Sequence, residues 1–480
     1  MPVNLIEIQG KLNDFSAQAR ARHEKLATRR QEVTDLFEAY AERLGDLRET
    51  FQKAAEVNPH LRCAVPLNEP LDAVVPMPGL PKIFTVMAAD GSQINPSRHA
   101  RVAFCVINVG LVTMVRGSGE TPEIQTHSQL LDFDALFTPG GRMISEGLVA
   151  LKRDLWEREA LADHAQGLKK PALSMTDGPL ELYREPQETV AFEQTLDRYL
   201  SVLARLRDQG LITLGYVDKP GSDLIARLLE LVQLDEDTLS SPATSKKRRY
   251  AGVQDAQWLE DRLQNPGDRS AVFGIHSETA REFKGDLALH FFYLNVGTPA
   301  KPHLARVEVP GWVARDRDLV GMIQAVLTEQ AAILGTRPYP YVLHRAHEVA
   351  VVTLILTPKN LGDVSRIRQA DRGMMLGHSF HRLRPDLLVN HLLEPGLVFR
   401  AAGFWPLFHH QRGQDFQVGE QGLPVEQIGQ VRWQAGAALL VGEAWVRSPQ
   451  LEINDQPVEQ PAVALHHHKS PFLNSLRWHR

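Results

Sequence analysis

Two aspartates that follow apolar runs are the first candidates for chemistry in this chain. Asp90 follows the run 83–89 (IFTVMAA), Asp177 follows 171–176 (PALSMT), and a glycine comes directly after each. An apolar run closed by glycine predicts a buried strand that ends in a turn. Ligands of open α/β sheets bind at the carboxyl ends of the strands. Two carboxylates at that edge therefore indicate a divalent-metal site, and the alternative is that each aspartate only shapes its own turn.

A third carboxylate would have to come from the segment 147–166, whose pattern predicts an amphipathic helix. Its apolar stripe consists of Leu151, Leu155, Leu161, Ala162 and Ala165. Glu157 and Glu159 fall on opposite flanks of this stripe, so helical geometry does not choose between them as metal ligands. The alternative for either residue is a solvated charge on a surface helix.

A further group of polar residues lies in the segment RPYPYVLHRAHE. Pro340 predicts the start of a helix, on which His344, His347 and Glu348 fall within about one turn. A lone histidine at such a place is usually structural. Tyr339 precedes the group, but the spacing alone does not establish a metal site.

The charge pattern offers one local candidate for nucleic-acid contact. The polar segment 235–250 contains the basic cluster Lys246, Lys247, Arg248 and Arg249. Such a cluster is either a solvated loop or a contact to phosphate groups. The net charge of the chain is −5, so its overall charge does not indicate nucleic-acid binding.

The elements that must position these residues alternate along the middle of the chain. After the strand that leads to Asp177, the patterns predict a helix at 186–208, a strand at 211–217 and a helix at 222–234, which is typical of an α/β core. Closely spaced strands predict an antiparallel meander at the start of a mixed sheet, at 83–89, 101–109 and 111–116. Later elements are predicted as strands at 271–275, 288–295 and 302–309 and a helix at 318–334 that ends at Gly335.

Length and composition divide the chain into four predicted parts. Its 480 residues are enough for two or three domains, and 43% hydrophobic residues are ordinary for a globular protein. We predict an N-terminal helix or helical hairpin at 1–57, a Pro-rich linker at 58–82, an α/β domain at 83–357 and a C-terminal extension of unassigned role at 358–480.

Nothing in the sequence predicts a membrane segment or a signal peptide. No run of about 18 apolar residues occurs, and the N-terminus lacks a basic flank followed by an apolar core. Cys63 and Cys105 are the only cysteines. This usage suits a reducing cytoplasm and excludes a disulfide framework.

Eight segments, in order, resemble the NurA nuclease family over more than half of the chain. These segments are AADGSQ (88–93), RDLWEREAL (153–161), MTDGPL (175–180), LGYVDKPGSDLIARLLEL (214–231), NPGDRSAVF (265–273), FFYLNVG (291–297), ARVEVPGWV (305–313) and YPYVLHRAHEVAVV (339–352). A single Asp-Gly-Ser would be a weak signal, whereas the ordered set is specific.

The resemblance implies an RNase H-like core, with a mixed sheet flanked by helices, and a site that uses manganese, with magnesium as the other possibility. It places the two metal aspartates of the family on Asp90 and Asp177. The family pattern of an arginine, an acidic residue four positions later and a leucine four after that matches Arg153, Glu157 and Leu161. The resemblance therefore favours Glu157 as the third carboxylate, with Glu159 in reserve.

The family also has a tyrosine and a histidine eight positions apart, which match Tyr339 and His347. The resemblance implies that His347 is a metal ligand, or a proton donor on the leaving-group side. Tyr339 is expected to contact a phosphate or to stack on the terminal base.

The implied activity is 5′-to-3′ exonuclease and single-strand endonuclease action during resection of DNA ends in double-strand break repair. The family implies a homodimer that works with a HerA-type hexameric ATPase. The chain has no G-x-x-x-x-G-K-[ST] motif, so an ATP-driven motor must be a separate partner. The alternatives are a catalytically silent DNA-binding scaffold of the same fold, or another RNase H-like enzyme that cuts RNA.

Overall fold

The computed structural model describes six continuous stretches of the chain and three pairs of residues. The stretches are 5–99, 103–131, 134–138, 141–183, 189–241 and 248–353, and the pairs are 400–401, 431–432 and 452–453. Apart from these pairs, the predicted C-terminal extension 358–480 lies outside the described residues.

Helices occupy the N-terminal segment and alternate with strands in the rest of the described chain. The helices are α1 (Leu5–Ala39), α2 (Leu44–Val57), α3 (Glu146–His164), α4 (Thr189–Asp208), α5 (Leu224–Leu231), α6 (Glu236–Leu239), α7 (Asp255–Leu259), α8 (Gly311–Ala314), α9 (Arg317–Ile333) and α10 (Tyr341–Ala350). The strands are β1 (Cys63–Pro66), β2 (Phe84–Ile94), β3 (Cys105–Arg116), β4 (Glu123–Leu131), β5 (Ala172–Asp177), β6 (Ile212–Val217), β7 (Phe273–His276), β8 (Leu289–Asn295) and β9 (Leu304–Pro310). Two short antiparallel pairs follow, formed by β10 (Val352–Thr353) with β11 (Arg400–Ala401) and by β12 (Val431–Arg432) with β13 (Glu452–Ile453).

Nine strands form one mixed sheet in the order β1-β7-β8-β9-β6-β5-β2-β3-β4. Strands β2, β3 and β4 make an antiparallel meander, and β5 and β6 continue the sheet parallel to β2. In the five strands β4-β3-β2-β5-β6, only β3 therefore runs against the others, which is the RNase H-like arrangement. Strands β9, β8, β7 and β1 extend the other side of the sheet by antiparallel pairing.

Strand β2 is the central strand of the five-stranded part β4-β3-β2-β5-β6. It separates two hydrophobic cores because successive side chains of a strand point to opposite faces. Val86 and Ala88 share one core with Ala346 of α10. Met87 and Ala89 share the other core with residues of α3, among them Leu155. Side chains of α10 and of α3 therefore reach β2 from opposite faces of the sheet.

Strand β2 does not end at Asp90, so the prediction of a sharp turn at Gly91 is wrong. The strand continues to Ile94, and Asp90 lies within it, opposite Gly110 of β3. Gly91 serves packing instead, because a Cβ atom there would lie 2.6 Å from the Cγ of Arg153. A missing side chain can mark the close approach of another element as well as a turn.

Other strands also differ from the prediction. The strands expected at 101–109 and 111–116 form the single strand β3, and β4 was not predicted. Strand β4 carries mostly exposed polar residues at the edge of the sheet, so its hydrophobic pattern is weak. The segment 58–82, predicted as a linker, contributes β1, which pairs with β7.

The C-terminal half of α1 packs against the α/β core, whereas three apolar side chains in its N-terminal half are open to solvent. Phe37 is buried and contacts the ring of Trp258 edge-on, with 4.8 Å between the ring centroids. Ile8, Leu12 and Phe15 are exposed.

No helix in the described stretches combines the length and the low polarity needed to span a bilayer. Both cysteines are buried free thiols.

Candidate functional site

Asp90 and His347 are in direct contact across β2 and α10. The Nδ1 atom of His347 lies 2.6 Å from Oδ2 of Asp90. The aspartate side chain is 11% exposed and the histidine side chain is 61% exposed. The pair therefore presents a buried carboxylate and an accessible imidazole at one place on the sheet.

Asp177 reaches the same face of the sheet from the neighbouring strand. Strands β2 and β5 are parallel and pair Ala89 with Thr176, so the next residue on each strand is an aspartate. Neighbouring residues in paired strands point to the same face. Asp177 is the last residue of β5 and is exposed, and Gly178 then turns the chain with φ of +91°.

Desolvation raises the pKa of Asp177. The main cause is desolvation by the surrounding protein, although the side chain remains open to water, and the negative charge of Asp90 adds to it. A hydrogen bond from the Tyr339 hydroxyl, one from the Gly178 backbone and the nearby His347 act in the opposite direction. Because the negative charge of Asp90 disfavours ionisation of Asp177, a cation bound beside Asp177 would favour its ionised form.

Tyr339 is hydrogen-bonded to Asp177 and packs on a second tyrosine, Tyr216, which the sequence pattern does not mark as a site residue. The rings of Tyr339 and Tyr216 are 5.4 Å apart and nearly perpendicular. Burial and the charges of Asp177 and Asp90 raise the pKa of Tyr339, so its hydroxyl stays protonated. Tyr216 pairs with Asp177 in the sheet, and it lies within the segment 214–231 that resembles the family.

Glu157 approaches β2 from the face opposite to Asp90. An added Cβ at Gly91 would lie 2.6 Å from Oε1 of Glu157, so the glycine makes room for this carboxylate. Burial, and then the charge of Asp154, raise the pKa of Glu157 well above its usual value, and Asp90 adds to the effect. Arg153 opposes it, with its Nε atom 3.3 Å from Oε1 of Glu157.

Glu159 is engaged elsewhere. Its Oε1 atom accepts a hydrogen bond of 2.6 Å from Arg198 on α4, so the side chain lies on the α4 side of α3. The structure therefore brings Glu157, and not Glu159, next to β2.

The donor set fits a divalent cation in its chemistry. Carboxylate and imidazole groups are suitable ligands for Mn²⁺. Burial raises the pKa values of Asp177 and Glu157, and a bound cation would favour the ionised form of both carboxylates. Within the described stretches, no three acidic, histidine or cysteine side chains converge as they stand to enclose a metal ion. Glu157 pairs with Arg153 on its own face of the strand, while Asp90 contacts His347 on the other face.

Helix α10 is held against the sheet by close backbone contacts. A Cβ at Gly110 would lie 2.5 Å from the carbonyl oxygen of Ala346, so only glycine permits this approach. Ser92 and Asn108 both donate hydrogen bonds to the carbonyl oxygen of Ala350, at 2.5 Å and 2.8 Å. These contacts fix His347 over Asp90.

The other residues predicted for the site take no part in the contact between Asp90 and His347. On α10, Glu348 lies 3.5 Å from His344 and also pairs with Arg345. In the basic cluster, Arg248 pairs with Asp223, and Arg249 pairs with Glu32 at 2.9 Å. Lys246 and Lys247 lie outside the described residues.

The topology and the polar group at β2, β5 and α10 define an α/β protein of the RNase H-like class. Residues 84–352 match the family model described as the NurA domain, which is more than half of the chain. The chain therefore belongs to the NurA family, a family of DNA nucleases. No individually curated protein matches its sequence significantly.

Solved structures with a similar arrangement include three nucleases. The NurA nuclease of Sulfolobus solfataricus is 11% identical, with 79% of this chain and 100% of that chain covered and a TM-score of 0.44. Endonuclease V of Ciona intestinalis, in complex with an inosine-containing DNA, is 12% identical, with 60% and 88% covered and a TM-score of 0.28. The catalytic domain of human endonuclease V is 14% identical, with 60% and 84% covered and a TM-score of 0.28. At these TM-scores, the family assignment rests on the sequence match.

Proposed function

We propose that this chain is a manganese-dependent deoxyribonuclease that hydrolyses phosphodiester bonds. Its proposed active site consists of Asp90, Asp177, Glu157 and His347. The observation that carries the proposal is the adjacency of Asp90 and Asp177 on parallel strands, with His347 in contact with Asp90, in a member of the NurA family. Mg²⁺ is the other cation that such a donor set would accept.

The three carboxylates and His347 would hold the metal ions. When bound, divalent ions supply an activated water and stabilise the leaving oxyanion in phosphodiester hydrolysis. Asp90 is the central ligand in this proposal because it lies on the central strand and contacts His347. Asp177 and Glu157 would complete the set of metal ligands on either side of Asp90.

His347 and Tyr339 have separate roles in the proposal. The exposed imidazole of His347 is accessible to substrate, and it either binds metal or gives a proton to the leaving oxygen. The Tyr339 hydroxyl donates to Asp177 and so orients that carboxylate, while its ring is available to a phosphate or a terminal base.

A nuclease assay with Mn²⁺ tests this assignment. Wild-type protein is expected to digest linear DNA, and Asp90→Ala is expected to be inactive. Equal digestion by both proteins would show that the site lies elsewhere. If neither protein digests DNA, even with a HerA-type ATPase present, the result favours the alternative of a silent DNA-binding scaffold.

We further infer 5′-to-3′ exonuclease and single-strand endonuclease activity for the resection of DNA ends, by resemblance to the family. End-labelled duplexes report the polarity, and circular single strands report the endonuclease activity. Competition between DNA, RNA and hybrid substrates distinguishes this enzyme from an RNase H-like ribonuclease.

The proposed partners are a second copy of the chain and a HerA-type hexameric ATPase, in the cytoplasm. The exposed apolar residues in the N-terminal half of α1 favour this part of the chain as a contact region. Removal of residues 1–20, which leaves the buried Phe37 in place, is expected to weaken dimerisation or docking and to leave Mn²⁺ binding intact. Light scattering and metal titration of the truncated protein test the two expectations separately.

A further inference from the structure

Strand β9 contains two charged residues in an otherwise buried apolar strand. All seven residues of β9 are buried, among them Arg306 and Glu308. Glu308 has no exposed surface, and its Oε1 atom lies 2.8 Å from Nη2 of Arg306. A buried carboxylate needs several compensating partners, so its contacts indicate what it is for.

The Glu308 carboxylate binds the backbone that follows Asp177. We define residues 177–181 as the Asp177 loop. The Oε2 atom of Glu308 accepts hydrogen bonds from the backbone N–H of Leu180, at 2.8 Å, and of Glu181, at 3.4 Å. These two N–H groups lie three and four residues after the proposed metal ligand.

The Asp177 loop is also seated on β6 next to Glu308. A Cβ at Gly215 would lie 2.7 Å from the carbonyl oxygen of Gly178 and 3.0 Å from the N atom of Leu180. Gly215 is the residue that pairs with Glu308 between β6 and β9. The missing side chain thus lets the loop come close enough for Glu308 to reach it.

Arg306 connects Glu308 to a rigid part of the core. Its Nη1 atom donates to Oγ of Ser222, at 2.6 Å, and that oxygen lies 3.2 Å from the hydroxyl of Tyr293. Tyr293 donates to Asp255, which accepts the backbone N–H groups of Ile225 and Ala226 in α5. The network therefore fixes the orientation of Arg306, and with it that of Glu308.

We propose that Glu308 is a positioning residue for the metal site, which holds the Asp177 loop so that the Asp177 carboxylate stays beside Asp90. This inference rests on the proposed function. A buried ion pair usually adds little net stability compared with apolar residues of the same shape. The pair instead fixes the direction of two hydrogen bonds to the loop, and hydrogen-bond partners of metal ligands generally fix the orientation of those ligands.

The test compares Glu308→Ala and Glu308→Gln with matched variants of Glu230. Glu230 is also buried, pairs with an arginine (Arg227) and accepts two backbone N–H groups, those of Arg249 and Tyr250. Glu230 is on α5 and does not contact the Asp177 loop, so its variants report a structural loss of similar kind.

Mn²⁺ affinity is measured by calorimetry, and hydrolysis of linear DNA is measured against Mn²⁺ concentration. For Glu308→Ala we expect Mn²⁺ affinity to fall about 10- to 100-fold, with most of the turnover restored at saturating Mn²⁺. Glu308→Gln keeps an oxygen for the Leu180 N–H and the shape of the side chain, so a smaller loss is expected. The Glu230 variants should bind Mn²⁺ as wild type does, even where their melting temperature falls.

Each outcome decides the question. Wild-type Mn²⁺ affinity in the Glu308 variants, or an equal loss in the Glu230 variants, would overturn the inference. If Glu308→Ala does not fold, Glu308→Gln carries the same comparison. If wild-type protein neither binds Mn²⁺ nor cleaves DNA, the proposed function fails, and that failure is distinct from a failure confined to Glu308.

Discussion

His347 and Asp90 lie 257 positions apart in the chain, yet their side chains approach to 2.6 Å. The contact joins the central strand to the last long helix of the described α/β core. It therefore depends on the whole intervening fold, and it makes the placement of α10 a condition for the proposed chemistry.

We expect His347→Gln to reduce Mn²⁺-dependent hydrolysis by about 10- to 100-fold, because Asp90 loses the group that orients its carboxylate. The matched control is His344→Gln on the same helix, since His344 lies near Glu348 and not near Asp90. Initial rates on linear DNA at saturating Mn²⁺ measure both variants. Equal losses in the two variants would show that the activity falls because α10 is disturbed, and not because the contact with Asp90 is lost.

Glu157→Gln should abolish Mn²⁺ binding, and Glu159→Gln should leave it close to wild type. Glu157 is buried beside Gly91 with a raised pKa, whereas Glu159 is paired with Arg198. Calorimetric titration with Mn²⁺ distinguishes them. A loss of binding in Glu159→Gln alone would reverse the assignment.

Glu157→Gln should also stabilise the metal-free protein. The pKa of Glu157 is raised in the folded state, so the native protein binds its proton more tightly than the unfolded chain does. Stability therefore falls as the pH rises from the unfolded pKa to the folded one, and the ionised carboxylate is destabilising above that range. Glutamine stays neutral, so Glu157→Gln should melt at a higher temperature than wild type at neutral pH. The difference should disappear in acid, and scanning calorimetry without metal measures it.

Mn²⁺ affinity should fall as the pH is lowered towards 5. The fall should begin at a higher pH than is usual for carboxylate sites. Protons compete with metal for Asp177 and Glu157, whose pKa values are both raised. Titrations of the wild-type protein with Mn²⁺ from about pH 8 to pH 5 measure this dependence. An affinity that is constant in this range would contradict the proposed carboxylate ligands.

Tyr339→Phe should lower turnover more than it lowers Mn²⁺ affinity. The variant loses the hydroxyl that donates to Asp177 but keeps the ring that packs on Tyr216. Tyr341→Phe is the control. Calorimetry showing that Tyr339→Phe has lost Mn²⁺ binding would instead make the hydroxyl a direct metal ligand.

The sequence predicts much of this arrangement where the hydrophobic pattern is strong. The strands that carry Asp90 and Asp177, helix α3 and helix α10 lie where their patterns predict them. The family resemblance is confirmed by the match over residues 84–352. The choice of Glu157 over Glu159 came from that resemblance, and it stays a prediction until the ligands are tested.

The sequence does not predict features that depend on packing between distant elements. The sequence pattern predicts a turn at Gly91 and a strand break at Gly110, but each glycine lies inside a strand where a helix approaches closely. Glycine has the same local signature in both situations, and only the partner helix distinguishes them. Glu308 was missed for a related reason: its partners, Leu180 and Arg306, come together only in the folded sheet.

Gly110→Ala tests whether the close approach of α10 holds His347 on Asp90. The added Cβ would lie 2.5 Å from the carbonyl oxygen of Ala346 and 2.8 Å from the N atom of Ala350, and backbone atoms cannot rotate away as a side chain can. Overpacking of this kind costs about 1–3 kcal/mol of stability. A shift of α10 should also lengthen the contact between His347 and Asp90, so hydrolysis should fall even at temperatures where the variant is fully folded.

The control for this substitution is Gly45→Ala in α2, where an added Cβ meets no atom within 4 Å. It should be neutral or slightly stabilising, because alanine favours a helix more than glycine does. Urea unfolding measures stability, and the rate of DNA hydrolysis at low temperature measures the site. If Gly110→Ala loses stability but keeps full activity, His347 does not need the observed position of α10, and its contact with Asp90 is not part of the working site.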